Sequence, residues 1–446
     1  MKNKNLHVVV GLGATGLSCL RFLYAQKIPV AVTDTRETPP NLDEIRKNYA
    51  DITLALGGLS DDLLDEAAVI VCSPGVSLQE PAIAKQIAKG KKVIGDIELF
   101  AQAVKVPVIG ITGSNAKSTV TTLVGLMVEA AGLKVKVGGN LGVPVLDLLD
   151  LANPPEVYVL ELSSFQLETT FTLKPRVATI LNVTPDHMDR YANFQGYLAA
   201  KQRVYEGCQV AVCNRDDSTT ECGDRYAQRR FYFTLNEPVQ NEFGLVKKND
   251  ETYLAFENEV LMPAKDLPVR GRHYQANALA ALAIGHGFGL PMAPMLKVLR
   301  EFKGLRHRCQ LVRELNGVYW YNDSKGTNVG ATLAAMEGLG SEISGKLILI
   351  AGGQGKGADF SPLAPVAGKY VRTSILIGEA APVLADTLGA ASEVLLAKDL
   401  AEAIQRAGQK AHPGDCVLLS PACASFDMFR NYEHRGDVFM QLVQEL

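Results

Sequence analysis

Lys117 and Ser118 end the polar run Thr112-Gly113-Ser114-Asn115-Ala116, and a lysine beside a hydroxyl at such a place can hold a polyphosphate. The ammonium of Lys117 can reach the outer phosphates, and the Ser118 hydroxyl can ligate magnesium. Both groups need a scaffold. Val106, Val108, Ile109 and Ile111 make a short apolar run of the kind found in a buried parallel strand. Beyond Thr119, the residues Val120, Leu123, Val124 and Met127 recur at helical spacing. The pattern predicts strand, tight loop and helix, with backbone N–H groups and the positive helix end directed at one spot. The loop departs from the strict phosphate-loop pattern, because Ala116 replaces the last glycine and Gly110 lies one residue too far upstream. An ordinary strand-to-helix turn is the competing reading of this stretch taken alone.

Other residues suited to chemistry follow strands in the same way. Val157 to Leu160 reads as a strand ending on Glu161, and an acid at a strand tip beside a phosphate loop is placed to hold magnesium. Val177 to Leu181 reads as a strand whose exit loop carries His187, with a capping role as the alternative. A helix is expected over Phe194 to Tyr205, and Lys201 falls on its apolar face with Phe194, Tyr197, Leu198, Val204 and Tyr205. Lys201 either snorkels to water or points into an active site. Nearer the start, Leu6 to Val10 leads into Gly11-Leu-Gly-Ala-Thr-Gly16, and Val30 to Thr33 ends at Asp34. That outline is a dinucleotide fold, which serves a nicotinamide cofactor or a nucleoside diphosphate equally well. Val69 to Cys72 ends in Ser73-Pro74-Gly75, which lines the crevice or is simply a turn.

Composition sets the frame. A chain of 446 residues exceeds one core, so two to four domains are expected. Hydrophobic residues at 47% and charged residues at 21% are ordinary for a folded protein, and a net charge of −3 gives no reason to expect nucleic acid as a partner. The eight cysteines include no CxxC pair and read as reduced thiols in a cytoplasm. No charged-then-apolar leader and no bilayer-length apolar run is present, so membrane insertion is not expected. Gln209 to about Lys265 reads as hairpins and loops, Arg270 to Asn277 opens a helix, and Gly304 to Arg308 reads as an interdomain hinge. In the last third, four strand exits are polar or glycine-rich: Asn322 to Asn328, Ala351 to Asp359, Gly378-Glu379 and Ser420 to Asp427. Four such loops on one edge of a parallel sheet would form a second ligand surface.

Thr-Gly-Ser-Asn-Ala-Lys-Ser-Thr, Leu-Glu-Leu-Ser-Ser-Phe-Gln, Asn-Val-Thr-Pro-Asp-His-Met-Asp, His307-Arg308 and Asn-Asp-Ser-Lys-Gly-Thr-Asn, in that order, resemble the Mur ligase family. The resemblance implies an α/β protein of three domains, each with a mainly parallel sheet. These are an N-terminal Rossmann-like domain (1–96), a central phosphate-loop ATPase domain (97–303) and a C-terminal Rossmann-like domain (304–446). It implies a monomeric ligase of peptidoglycan precursor synthesis that joins a carboxylate to an amine at the expense of ATP. The Leu-Glu-Leu-Ser-Ser-Phe-Gln-Leu-Glu stretch and the Ser-Pro-Ala-Cys-Ala-Ser-Phe-Asp ending point to UDP-N-acetylmuramoyl-L-alanine as acceptor and D-glutamate as amine.

By the same resemblance Gly113 to Thr119, Asn277, Arg308 and Asp323 bind ATP. Ser118, Glu161, His187 and a carbamylated Lys201 hold Mg2+ at two sites. Lys117, His187, Lys201 and Lys325 are catalytic. Ala14, Thr15, Thr35, Arg36, Ser73, Pro74, Gly75, Asn140 and His187 line the UDP-substrate site, and Thr327, Lys356, Ser425 and Tyr432 the D-glutamate site. A nicotinamide dehydrogenase, a nucleotide switch protein without ligase chemistry, and a sister or folylpolyglutamate-type ligase are the rival readings.

Overall fold

The computed structural model describes residues 5–223, 226–269 and 271–446. Arg270, where the helix opening was expected to begin, lies outside them, and the helix itself runs Arg272–Phe288. Three sheets follow one another along the chain.

The first sheet has five parallel strands in the order Thr53–Leu56, Val30–Asp34, His7–Val10, Val69–Cys72, Lys92–Ile94. Strand order reverses between His7–Val10 and Val69–Cys72, so the turns after them flank the crevice of a doubly wound sheet. The helix Ala14–Ala25 starts inside the glycine motif. Only glycine fits at position 16, because a Cβ there would lie 1.8 Å from the Gly11 carbonyl oxygen.

The central sheet runs Glu259–Pro263, Glu251–Phe256, Glu242–Lys248, Arg229–Phe233, Val210–Asn214, Val177–Ile180, Val108–Thr112, Val157–Glu161, Val135–Gly139. The helix Lys117–Ala130 packs on it, and Val120, Leu123, Val124 and Met127 are fully buried as the spacing requires. The stretch expected to be hairpins differs in part. Val210–Asn214, Arg229–Phe233 and Glu242–Lys248 pair in parallel, and hairpins occur only from Glu242–Lys248 to Glu251–Phe256 and from there to Glu259–Pro263. Phe231, Phe233 and Phe243 are buried in one core with the helix Arg272–Phe288, and that cover is what a parallel extension needs. The expected helix over Phe194 to Tyr205 is α-helical to Gln202 and tightens into a 3-10 turn over Arg203–Tyr205.

The third sheet has six strands, in the order Gln310–Leu315, Val318–Asn322, Cys416–Leu419, Leu347–Gly352, Val371–Ile377, Glu393–Leu396. The strands with the polar exits are parallel, so those exits share one edge. The edge strand Gln310–Leu315 is antiparallel and was not expected. Asn316 and Gly317, both at positive φ, turn it into Val318–Asn322 through a two-residue loop. All eight cysteines are free thiols.

Candidate active site

The strand Val108–Thr112 delivers the phosphate loop, and the neighbouring exit loop clamps it. The Ser114 N–H donates to the Asn182 carbonyl at 2.9 Å, and the Asn115 N–H to Asn182 Oδ1 at 2.8 Å. Ser114 Oγ donates to the Thr184 carbonyl at 2.9 Å and lies 2.9 Å from the Tyr197 hydroxyl. Ala116 caps the helix with φ 67°, the left-handed conformation that the missing glycine would have taken without strain.

Cations crowd this loop. Lys117 Nζ donates to the carbonyls of Gly113 and Ser114, both at 2.9 Å, and Lys201 Nζ donates to the same Gly113 carbonyl at 2.8 Å. Lys201 is 1% exposed and its ammonium stands 4.6 Å from the Tyr197 ring centre, so it does not snorkel. Burial, then the charge of Lys117, holds Lys201 well below the usual lysine range. Burial and Arg308 lower Lys117, against Glu161 and Asp186. Burial, then Arg308 and Lys117, brings Lys325 down to about 8. A polyphosphate entering here would relieve all three.

Glu161 ends its strand as expected and is 2% exposed. Its Oε1 accepts from Asn140 Nδ2 at 2.6 Å, while Oε2 is buried with no partner among the described residues. His187 takes φ 56° and packs its ring on Phe165, with centroids 4.8 Å apart. Burial, then the charges of Lys117, Lys356 and Lys201, lowers its pKa, with Asp186 opposing, so its imidazole is neutral at pH 7.

The third domain closes over this centre. Arg308 Nη2 donates to Ser118 Oγ at 2.7 Å. Asn328 Nδ2 reaches both Asn115 Oδ1 at 3.2 Å and Asp186 Oδ2 at 3.1 Å. Asp323 accepts from the Cys309 N–H at 3.1 Å and from Ser420 Oγ at 2.8 Å. Between the domains lies a cleft that Asn115, Ala116, Thr119, Asn277, Arg308 and Asp323 help to line. Lys325 Nζ sits 3.8 Å above the Tyr432 ring. The side chains of Thr327, Lys356 and Ser425 make no hydrogen bond among the described residues, which leaves three polar groups for a ligand. Lys356 is exposed and stands 5.8 Å from the Phe426 ring centre.

A second cleft follows the glycine turn of the first domain. Ala14, Thr15, Thr35, Arg36, Ser73, Pro74, Gly75 and Asn140 all line it, with Gln166 from the central domain. Asp34, the acid that a nicotinamide ribose would need, is already committed. It accepts from the Leu12 N–H at 2.6 Å and from the Arg36 Nε and Nη2 at 2.9 and 2.7 Å. Burial works to raise its pKa, yet these bonds hold it at about 2. Sequence reasoning passed over Asn328, though it closes a motif already singled out, and over Tyr197, which lies one helical turn before Lys201. It also passed over Asp186 and Arg435, whose buried guanidinium ties Ser324 to the Cys423 carbonyl.

Residues 5–95 match the Mur ligase MurD-like N-terminal domain, residues 111–285 the Mur ligase middle domain, and residues 307–423 the Mur ligase glutamate ligase domain. The chain belongs to the Mur ligase family. This Mur ligase is 54% identical over 446 residues, all of both chains, to UDP-N-acetylmuramoylalanine--D-glutamate ligase of Coxiella burnetii strain CbuK_Q154. It is 53% identical over 434 residues to the enzyme of the same name from Pseudomonas putida, covering 97% of this chain and 96% of that one. Its fold is shared with solved ligases of low identity. MurF from Acinetobacter baumannii superposes with a TM-score of 0.63 at 16% identity, covering 98% of this chain and 90% of that one. MurF from Thermotoga maritima in complex with ADP gives 0.62 at 16% identity, covering 98% and 95%.

Proposed function

We infer that this Mur ligase adds D-glutamate to UDP-N-acetylmuramoyl-L-alanine with conversion of ATP to ADP and phosphate. The observation that carries the reading is the end-to-end identity to D-glutamate ligases, joined to a centre where Lys117, Lys201, Lys325 and Arg308 meet between two clefts. A carboxylate is a poor electrophile. Transfer of the γ-phosphoryl group to it gives an acyl phosphate, the D-glutamate amine adds to the carbonyl, and the tetrahedral intermediate expels phosphate. Lys117 and Arg308 offset the charge of the transferred group, and Lys325 lies where phosphate leaves. Asp323 and Asn277 take the nucleoside end of ATP, and the glycine turn with Thr35, Arg36 and Ser73 to Gly75 takes the UDP moiety. Thr327, Lys356, Ser425 and Tyr432 receive the amino acid. The working units are 1–96, 97–303 and 304–446, and the enzyme acts as a monomer.

The residues present fit magnesium. Glu161 Oε2 is a buried carboxylate oxygen without a partner, and no three His, Cys, Asp or Glu side chains gather as a preformed cage among the described residues. Magnesium is commonly held by one or two carboxylates plus substrate phosphates, which suits such a site. Ser118, Glu161, His187 and Lys201 would hold it, and it would screen phosphate against carboxylate. Burial lowers the Lys201 pKa and so favours the neutral amine that carbon dioxide needs, and a carbamate there would add an anionic oxygen ligand.

No helix among the described residues is long and apolar enough to cross a membrane. ADP release measured over a panel of amino acids and acceptors tests the reading. Turnover should need ATP, the UDP-linked acceptor and D-glutamate together. Equal turnover with L-glutamate, or robust turnover without acceptor, overturns it. For Lys201, labelled carbon dioxide should appear as a carbamate signal in the intact protein, and Lys201→Ala should regain part of its activity when a small free carboxylate is added.

A further inference from the structure

The turn that carries His187 also carries Arg190, whose N–H donates to the His187 carbonyl at 2.9 Å. Its guanidinium reaches out of the central domain. Nη1 donates to the Pro74 carbonyl at 3.1 Å and Nη2 to the Val76 carbonyl at 2.8 Å. Both carbonyls belong to the first-domain loop after Val69–Cys72, where Ser73, Pro74 and Gly75 line the cleft under the glycine turn. Ser73 Oγ donates to the Gly11 carbonyl at 2.7 Å, so that loop and the glycine turn are tied together. The guanidinium carbon also lies 4.2 Å from the Phe165 ring centre, and the same ring meets His187 in a T-shaped contact. Glu168 stands 3.9 Å away, beyond hydrogen-bond reach. Two carbonyls of another domain and one ring face set the guanidinium's orientation. Only a planar fork meets all three.

We propose that Arg190 is a positioning residue for the acceptor, fixing the spacing between the first-domain loop that takes the UDP moiety and His187 at the reacting end. The inference rests on the reading of the first-domain cleft as the UDP site. Nucleotide binding in that cleft then orients the distant carboxylate, and binding far from the chemistry raises turnover in this way. His187 is held from both sides, by the backbone turn that Arg190 closes and by the ring that Arg190 covers.

The test is steady-state kinetics of Arg190→Met, Arg190→Lys and Phe165→Leu, with KM determined separately for ATP, D-glutamate and the UDP-linked acceptor, and with calorimetric binding of UDP alone. Removing charged hydrogen bonds that act on orientation should lower kcat for Arg190→Met by about tenfold or more. KM for ATP and affinity for UDP should stay within about twofold of wild type. Arg190→Lys should recover little, because an ammonium cannot span both carbonyls and the ring. Arg190→Met and Phe165→Leu should be non-additive, since they interrupt one chain of contacts. Wild-type kcat in Arg190→Met, strictly additive losses, or an equal loss in the ATP parameters would each overturn the proposal. Should Arg190→Met fail to fold, Arg190→Lys and Phe165→Leu carry the same test. Wild-type enzyme that ignores the UDP-linked acceptor would refute the functional reading instead, before any variant is compared.

Discussion

Among the described residues, Lys117 Nζ is bound only to two loop carbonyls, so its charge is held in place without a carboxylate in contact. Lys117→Ala should therefore leave the fold intact and remove transition-state stabilisation. The expected loss in turnover is about a thousandfold, the order seen for a deleted charge-stabilising donor at a phosphoryl-transfer centre. ADP release and a thermal melt check the two halves of this statement. Lys325 makes a pH prediction. Its pKa of about 8 leaves it largely charged at pH 7, and it loses that charge as pH rises through 8. Affinity for ATP should fall between pH 7 and pH 9, and Lys325→Arg, which stays charged, should flatten that fall. Calorimetric titrations at pH 7, 8 and 9 measure it. An affinity that rises with pH would contradict the assignment of Lys325 to the phosphates.

At the scale of the element, the phosphate loop gets its shape from a residue that prefers another. Ala116 sits at φ 67° at the start of the helix Lys117–Ala130. The left-handed conformation costs an alanine about 1–2 kcal/mol, whereas glycine adopts it without a steric penalty. Glycine also loses more conformational freedom on folding, so Ala116→Gly should gain no more than about 1 kcal/mol. Ala116→Val should cost more than about 1 kcal/mol, because a β-branched side chain tolerates φ > 0 least. Urea unfolding midpoints of the two variants should bracket the wild type. The helix beyond is indifferent to the change, since its hold comes from Val120, Leu123, Val124 and Met127 in the core.

At the scale of the molecule, the central and last domains meet through few, specific contacts. Arg308 holds Ser118, and Asn328 holds Asn115 and Asp186. The imidazole of His273 fills a notch between Gly271 and Gly338. A Cβ at 338 would lie 2.5 Å from His273 Nδ1, and one at 271 would lie 2.7 Å from Cε1. Burial keeps that ring neutral, with a pKa of about 4. In an isolated helix, Gly→Ala would stabilise by about 1 kcal/mol. Here the methyl of Gly338→Ala meets a side chain across the domain boundary, so closure should suffer while each domain stays folded. The expected outcome is a lower kcat and a larger radius of gyration, by X-ray scattering, in the presence of ATP and acceptor. More broadly, the last domain should rotate about Gly304 to Arg308 between free and liganded states, and identical domain angles in the two would contradict it.

What the sequence by itself determined is what neighbouring residues decide together. Strand, loop and helix around Lys117 follow from apolar runs and helical spacing. The crevice at Gly11 to Gly16 follows from a glycine motif after a strand, whose position 16 admits no side chain. The turn at Asn316-Gly317 was equally legible, because that pair supplies two positive φ angles in succession, yet it went unread. Tertiary structure alone decided the rest. Helical spacing put Lys201 on an apolar face with Tyr197, but only the packing of that face against the Gly113 carbonyl chose burial over snorkelling. Asp34 ended its strand as a dinucleotide acid should, and a side chain two residues on took both its oxygens. The parallel pairing of Arg229–Phe233 depended on a helix some forty residues later covering it. Arg190 looked like any loop arginine until the first domain brought two carbonyls to it. Local sterics and periodicity act within a few residues, while desolvation and shared hydrogen bonds depend on partners that chain distance does not reveal.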